Sequence, residues 1–189
     1  QVDRNYTYNT TFSVPSNIEF ARLYLYVWGY YKESEKEFGK LPNIKVYFNN
    51  NFNPASEVSR YEEFPDATWN NYTYATICYD VKRFIGSGKL SVRAEFTKTT
   101  DNMHYEMTGM GLIVVYRDEN APLMKYYIGE GGDIIMAKNG VYRTGFDYED
   151  CTRGAIFSNV RYPRLANATL ITVLSPYMSY GSEDILEYY

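Results

Sequence analysis

The residues best suited to chemistry in this sequence surround a glycine pair, in the run Glu130–Gly131–Gly132–Asp133. Two carboxylates flank glycines, whose backbone reaches positive φ and allows close approach of a ligand. With Asp118 nearby in sequence, they could supply the oxygen ligands that Ca²⁺ prefers. The spacing differs from that of an EF-hand loop, and a glycine turn in which Asp133 caps backbone N–H groups accounts for the same residues. We keep Asp118, Glu130 and Asp133 as candidate calcium ligands beside this simpler interpretation.

Catalytic signatures are missing. The single histidine, His104, precedes a strand-like segment, where a surface turn accounts for it better than a catalytic base. We find no nucleophile elbow of the Gly-x-Ser-x-Gly type and no phosphate-binding glycine loop. A glycosidase needs two carboxylates at a fixed separation, and 23 acidic residues offer many uninformative pairs. We therefore expect no catalytic residue, no cofactor other than the candidate calcium ion, and no enzyme.

Two cysteines, Cys78 and Cys151, are too few for a structural zinc site, which usually needs four Cys or His ligands. Cys78 lies in an apolar, strand-like run, where a cysteine usually serves as inert packing. A disulfide to Cys151 is the alternative, and it would stabilise the fold by closing a long loop. Sequence alone cannot choose between the two, so the pairing is a hypothesis.

Four N-glycosylation sequons occur, at Asn5, Asn9, Asn71 and Asn167. They are candidate glycan sites if the protein is secreted, although polar strands rich in Asn and Thr would also produce such motifs. The chain starts at Gln1 and not at Met, which favours a processed or excised extracellular piece.

Tyrosine is the unusual component, with 22 residues against 10 Phe and 2 Trp. An exposed Tyr/Trp surface can dock a protein or stack on sugar rings, and Tyr is also simply favoured in strands. We expect an aromatic face near Tyr24, Tyr26 and Trp28, and a second candidate near Trp69, Tyr72 and Tyr74. The predicted contact surface consists of Trp28, Tyr30, Tyr31, Tyr188 and Tyr189.

Charge argues against some partners. Lys and Arg number 19 and Asp and Glu 23, which gives a formal net charge of −4. Nucleic acids and anionic membranes attract basic faces, so neither is an expected partner. The longest apolar run, near 110–116, is far shorter than the roughly 20 residues that span a bilayer, so no membrane insertion is expected.

The hydrophobic pattern is that of strands almost throughout. In residues 18–28, apolar side chains from Ala21 to Val27 alternate with Arg and Tyr, which predicts one core face and one half-exposed face. Similar alternation occurs at 43–48, 72–78 and 90–96, and residues 105–116 predict a central strand whose Gly109 and Gly111 mark a bulge or a close backbone approach. Further strands are predicted near 125–128, 133–136, 141–146, 154–160 and 168–174, with a helical turn at 80–85 and a hairpin turn at Asn139–Gly140.

This pattern of ten to twelve short strands predicts an all-β fold, a two-sheet jelly-roll-like β-sandwich with one or two short helical turns. We expect one domain over residues 1–189. Residues 1–12 and 184–189 are candidate edge or exchanged strands, because a free strand edge is the simplest route to assembly.

Two resemblances add to this interpretation. The segments 44–50, 79–81 and 88–92 are similar to the strand–turn–strand layout of galactose-binding-like jelly rolls, which bears on fold and not on ligand. The runs ARLYLYVWG at 21–29, GLIVVYRD at 111–118, YYIGEGGDII at 126–135 and ATLITV at 168–173 resemble a domain family of secreted and surface proteins in methanogenic archaea. That resemblance implies an extracellular location and no activity.

These observations predict a non-enzymatic extracellular glycoprotein. Our first hypothesis is a self-assembling subunit of an archaeal cell-surface sheath, filament or surface layer, whose partners are copies of itself or other surface proteins joined through strand edges and Tyr-rich faces. The alternative is a module that binds polysaccharide, with calcium as a candidate cofactor.

Overall fold

Seven antiparallel strands build the described part of the chain. The computed structural model describes residues 6–31, 42–50, 57–63, 72–97, 103–132, 156–157 and 167–173. The strands are β1 (Tyr6–Val14), β2 (Ile18–Tyr31), β3 (Asn43–Phe48), β4 (Glu57–Glu63), β5 (Tyr72–Asp80), β6 (Gly88–Thr97) and β7 (Met103–Tyr116). A single 3₁₀ turn, Lys82–Phe84, lies among these described residues.

The strands form two sheets. One has the order β1-β6-β3 and the other the order β4-β5-β2-β7, with antiparallel pairing throughout. The all-β, two-sheet prediction is therefore confirmed. A jelly roll needs eight strands in a particular order, so that finer topology stays a prediction.

The core lies between the two sheets and follows the period-2 pattern of the strands. On β2 the inward side chains from Ala21 to Val27 are at most 2% exposed. The alternating set Leu90, Val92, Ala94 and Phe96 of β6 faces them, at most 1% exposed. Removing these side chains from water is the main stabilising term, since each fully buried aliphatic or aromatic side chain contributes roughly 1.5–3 kcal/mol. Both predicted core faces are confirmed.

Two predicted turns are also present. Asn49 and Asn50 end β3 with positive φ (49° and 62°), a conformation that Asn tolerates better than most residues. The predicted helical turn at 80–85 is the observed 3₁₀ turn. Asp80 lies one residue before its N-cap Val81 and accepts a hydrogen bond from the Lys82 amide at 3.2 Å.

Other strand predictions are corrected. β4 was not predicted, because its sequence EVSRYEE is mostly charged. Residues 125–128 were predicted as a strand and have none, since side-chain contacts rather than a backbone ladder hold this segment. Residues 156–157 and 167–173 also lack strand structure. The predictions for 133–136, 141–146 and the Asn139–Gly140 hairpin lie outside the described residues.

The glycines of β7 accommodate a ring from β2. A Cβ at Gly109 would lie 3.4 Å from Tyr26 Cδ2, and one at Gly111 would lie 3.9 Å from Tyr26 Cε2. The β2–β7 register shifts between Tyr26 and Val27, next to Gly109. The predicted close approach and irregularity are both confirmed. Among the described strands β7 pairs only with β2, so the expectation of a central strand finds no second neighbour there.

Candidate functional site

The outer face of the four-stranded sheet carries a polar cluster around Glu130. Arg22 Nη1 donates to both carboxylate oxygens of Glu130, at 2.8 and 2.9 Å. The Tyr24 hydroxyl donates to Glu130 Oε1 at 2.6 Å. The side chains of Arg22 and Glu130 are only 17% and 12% exposed, so this ion pair is largely shielded from solvent and is screened by salt less than a surface pair.

The cluster fastens a segment that we call the strap, residues 125–132, across this outer face. At one end Tyr126 packs on Phe20 of β2, with ring centroids 6.3 Å apart. At the other end Gly132 lies against β4, where a Cβ would come within 3.1 Å of Tyr61 Cβ and 3.2 Å of the Tyr61 carbonyl oxygen. The strap therefore crosses from β2 to β4, and it needs glycine where it touches β4.

Burial and hydrogen bonding determine the protonation state of the Tyr24 hydroxyl on this face. Burial, followed by the hydrogen bond to Glu130, raises the pKa of Tyr24 above its usual value. Tyr24 thus stays a neutral donor to the carboxylate through neutral and mildly alkaline pH. The arrangement can hold a segment in place, but it presents no free base or nucleophile to a substrate.

Cys78 belongs to the same face and is 0% exposed. It lies opposite Tyr24 on β2 and opposite Ser59 on β4. Burial raises the pKa of its thiol, and the Ser59 hydroxyl opposes that shift in part. Cys151 lies outside the described residues, so the disulfide between them stays a prediction.

Two of the three candidate calcium ligands lie among the described residues, and both accept hydrogen bonds from within the protein. Glu130 is engaged by Arg22 and Tyr24. Asp118 accepts a hydrogen bond from the Asn120 amide at 2.9 Å, in the turn after β7. Asp133 lies outside the described residues. Across the residues that the structure describes, no three His, Cys, Asp or Glu side chains come close enough to share a metal ion.

The predicted aromatic face is partly covered. Tyr24 is only 6% exposed, and Tyr26 and Trp28 are half-buried. Tyr24 is therefore not the exposed platform residue that the sequence suggested, because its hydroxyl holds the strap. Tyr30 and Tyr31 end β2, but their side chains, like Tyr188 and Tyr189 as a whole, lie outside what the structure describes.

Two of the four sequons can be located. Asn9 is exposed on β1 and lies opposite Arg93 of β6 on the outer face of the three-stranded sheet. Asn167 is also exposed. Asn5 and Asn71 lie outside the described residues, and glycosylation of all four stays a prediction.

A second candidate surface is the side of the sandwich where, among the described strands, β1 and β7 are the edges of their sheets; we call it the open side. β1 has no charged residue, and β7 carries Glu106 as its one carboxylate. The two strands contact each other, so both edges lie on one side. Natural proteins usually protect free edges with charge, and an uncharged edge is a template for another strand.

The other two edges are protected. On β4, Arg60 binds Glu57 at 2.7 Å and Glu62 at 3.2 Å. β3 is a short strand of six residues that includes Lys45. Among the described edge strands β1 alone has no charged side chain, so strand addition is opposed least at β1 and most at β4.

The core is also incompletely covered at the open side. Inward side chains there pack against the core yet remain partly exposed, unlike Leu23 and Val92 at 0%. They are Tyr8 and Phe12 of β1 and Met110, Leu112 and Val114 of β7. A strand docked on either edge would remove this apolar surface from water.

A shallow depression of about 300 Å³ lies where the β1–β2 turn meets the segment before β6. Its lining includes one charged side chain, Lys82, and no carboxylate; the lining residues are Pro15, Ser16, Asn17, Ile18, Lys82, Ile85, Gly86 and Ser87. This depression lacks the paired acids of a hydrolase. His104, the single histidine, lies within β7 opposite Tyr30.

Sequence reasoning missed the partnership of Arg22 and Tyr24 with Glu130. One signal was present: an arginine stands in a strand face otherwise built of aromatic residues, and such a half-buried cation needs a carboxylate. The separation of 108 residues gave no indication of which carboxylate it was.

No helix among the described residues has the length and hydropathy that crossing a membrane requires. A family model described as a protein of unknown function (DUF3344) matches residues 1–179. Comparisons with curated proteins and with solved structures give no match.

Proposed function

The chain belongs to the DUF3344 family, whose function is unknown, and we propose that it is a non-enzymatic structural subunit that assembles through its strand edges. The observation that carries this proposal is the open side, where the uncharged edge of β1, the edge of β7 and five partly exposed inward side chains lie together. An edge of this kind exposes unpaired backbone donors and acceptors beside apolar surface. Pairing with a strand satisfies both at once.

The difference in charge between the β4 and β1 edges supports the view that the β1 edge is exposed for assembly. A chain that functions alone gains from charge on every free edge, and here β4 is charged while β1 is not. The Arg22–Glu130 ion pair holds the strap against the outer face of the four-stranded sheet. Copies would then join through edges rather than through that face.

The setting that we propose is extracellular, in a cell-surface sheath, filament or surface layer. The sequons and the resemblance to surface proteins of methanogenic archaea support it, and exposed Asn9 and Asn167 are suitably placed to carry glycans. Other surface proteins are the remaining class of partner.

The test compares two lysine substitutions that differ only in strand position. Thr11 of β1 and Ser91 of β6 are cross-strand partners, both exposed on the same outer face. We expect Thr11→Lys to weaken self-association about tenfold, or about 1.4 kcal/mol, in sedimentation equilibrium, and Ser91→Lys to leave it unchanged. Both proteins are made in a host without N-glycosylation, because Thr11→Lys removes the Asn9 sequon.

Equal weakening by both variants would indicate assembly through the sheet face and would contradict the edge mechanism. A wild-type protein that stays monomeric at every concentration, with Trp fluorescence that shifts on adding polysaccharide, would replace the proposal by the glycan-binding alternative.

A further inference from the structure

We propose that β1 pairs antiparallel with β1 of a second copy, centred on Thr10, and so joins two three-stranded sheets into one. This inference rests on the proposed function and names its interface. It follows from the alternation and the side chains of β1, from the absence of charge on that strand, and from its regular pairing with β6.

The register follows from the alternation of β1. Tyr8, Thr10 and Phe12 face inward and are half-buried, while Thr7, Asn9 and Thr11 are exposed. Residues opposite each other in an antiparallel pair lie on the same face of the sheet. Centring on Thr10 keeps inward residues opposite inward residues and overlaps the whole strand, Tyr6 to Val14. Any other centre shortens the overlap.

This register pairs complementary side chains. Tyr8 lies opposite Phe12 of the second copy, and the two-fold axis generates the same pair a second time. Aromatic pairs of this kind stabilise neighbouring strands. On the outer face Asn9 lies opposite Thr11, so two polar uncharged side chains meet. No like charges are brought together, because β1 contains no charged residue.

β1 is a better template than β7. The β1–β6 ladder runs from Tyr6 to Val14 without a register shift. The β2–β7 ladder shifts twice, and β7 contains Gly109 and Gly111. Bulges bend and twist an edge, which hinders the addition of a further strand. β1 therefore offers the regular edge.

The pairing has a consequence for assembly. An isologous contact uses the same patch on both copies and closes into a dimer. β7 then remains as the second edge of the open side in each copy, from which a larger assembly could extend.

The experiment is disulfide trapping by single-cysteine substitutions on β1, with both native cysteines kept and linked peptides identified by non-reducing mass mapping. Opposed Cα atoms in antiparallel strands lie about 4.5 or 5.5 Å apart, and both spacings permit a disulfide. Thr10→Cys places two thiols at the two-fold axis. Thr7→Cys is the matched control, because Thr7 lies opposite Ser13 of the second copy and far from its own equivalent.

We expect Thr10→Cys to form at least about ten times more symmetric linked dimer than Thr7→Cys, because only its two thiols lie within bridging distance. A mixture of Thr7→Cys and Ser13→Cys chains should form the mixed disulfide. Both results support the register.

Self-association of the wild type without symmetric linkage of Thr10→Cys would overturn the β1 pairing and leave the proposed function standing. A wild-type monomer with no linkage would overturn both.

Discussion

Glu130 is the residue whose role depends most on its surroundings. In sequence it looks like a metal ligand between glycines, but in the structure it accepts from Arg22 and Tyr24 and ties the strap to β2. A carboxylate that is shielded and fully engaged contributes to stability by holding two buried donors. Its removal would leave the Arg22 guanidinium without its partner.

The first prediction at this scale compares two arginine–glutamate pairs. Glu130→Ala should lower the free energy of unfolding by about 1–3 kcal/mol, because it orphans shielded donors. Glu19→Ala removes the carboxylate of the exposed Arg117–Glu19 pair, whose side chains are 73% and 47% exposed, and should cost at most about 1 kcal/mol. Urea unfolding measures both free energies. Equal small losses would show that the Arg22–Glu130 pair stabilises the fold no more than the exposed Arg117–Glu19 pair does.

Some residues could be assigned from sequence and others could not. The inward set on β2 was predictable, because alternation along one strand is local information. The Arg22–Glu130 pair was not, because it joins residues 108 positions apart. Tyr24 was misassigned for the same reason: alternation placed it on the outer face, but its hydrogen bond to Glu130 joins residues 106 positions apart.

At the scale of elements, the strap shows how a segment without backbone pairing can be fixed. Its aromatic residues and Ile128 look like strand material, which is why a strand was predicted at 125–128. The strap is held instead by the packing of Tyr126 on Phe20 and by the hydrogen bonds from Arg22 to Glu130. β4 is the opposite case, a charged sequence made into a strand by its pairing with β5. Tertiary contacts override local propensity in both.

A second prediction tests how closely the strap lies on the sheet. Gly132→Ala would place a Cβ 3.1 Å from Tyr61 Cβ and 3.2 Å from the Tyr61 carbonyl oxygen, so Tyr61 or the strap must give by a few tenths of an ångström, and we expect the strap to lift. We expect a loss of about 1–3 kcal/mol in stability and faster alkylation of buried Cys78, measured in a Cys151→Ser background where Cys78 is the single thiol.

Gly131→Ala is the matched control for that variant, since nothing lies within 4 Å of its Cβ position. It should leave alkylation unchanged, and stability unchanged or slightly raised because alanine restricts the unfolded chain. Identical alkylation rates in the two variants would mean that the strap does not cover Cys78 in solution.

For the whole molecule, the distribution of charge on the sheet edges is the feature on which the proposed function rests. One side of the sandwich carries the uncharged edge of β1 and the edge of β7, whose one carboxylate is Glu106, while the β4 edge is rich in charged side chains. Sequence composition predicted an all-β fold and edge-based assembly. It could not predict which edges share a side, because that depends on the strand order in two separate sheets.

The most direct test is amide hydrogen exchange of the full chain as a function of protein concentration. Assembly through the open side predicts that protection of β1 amides rises with concentration, because outward N–H groups become paired, while protection of β4 amides stays constant. Exchange in β1 that does not depend on concentration, in a sample shown by sedimentation to self-associate, would contradict the account.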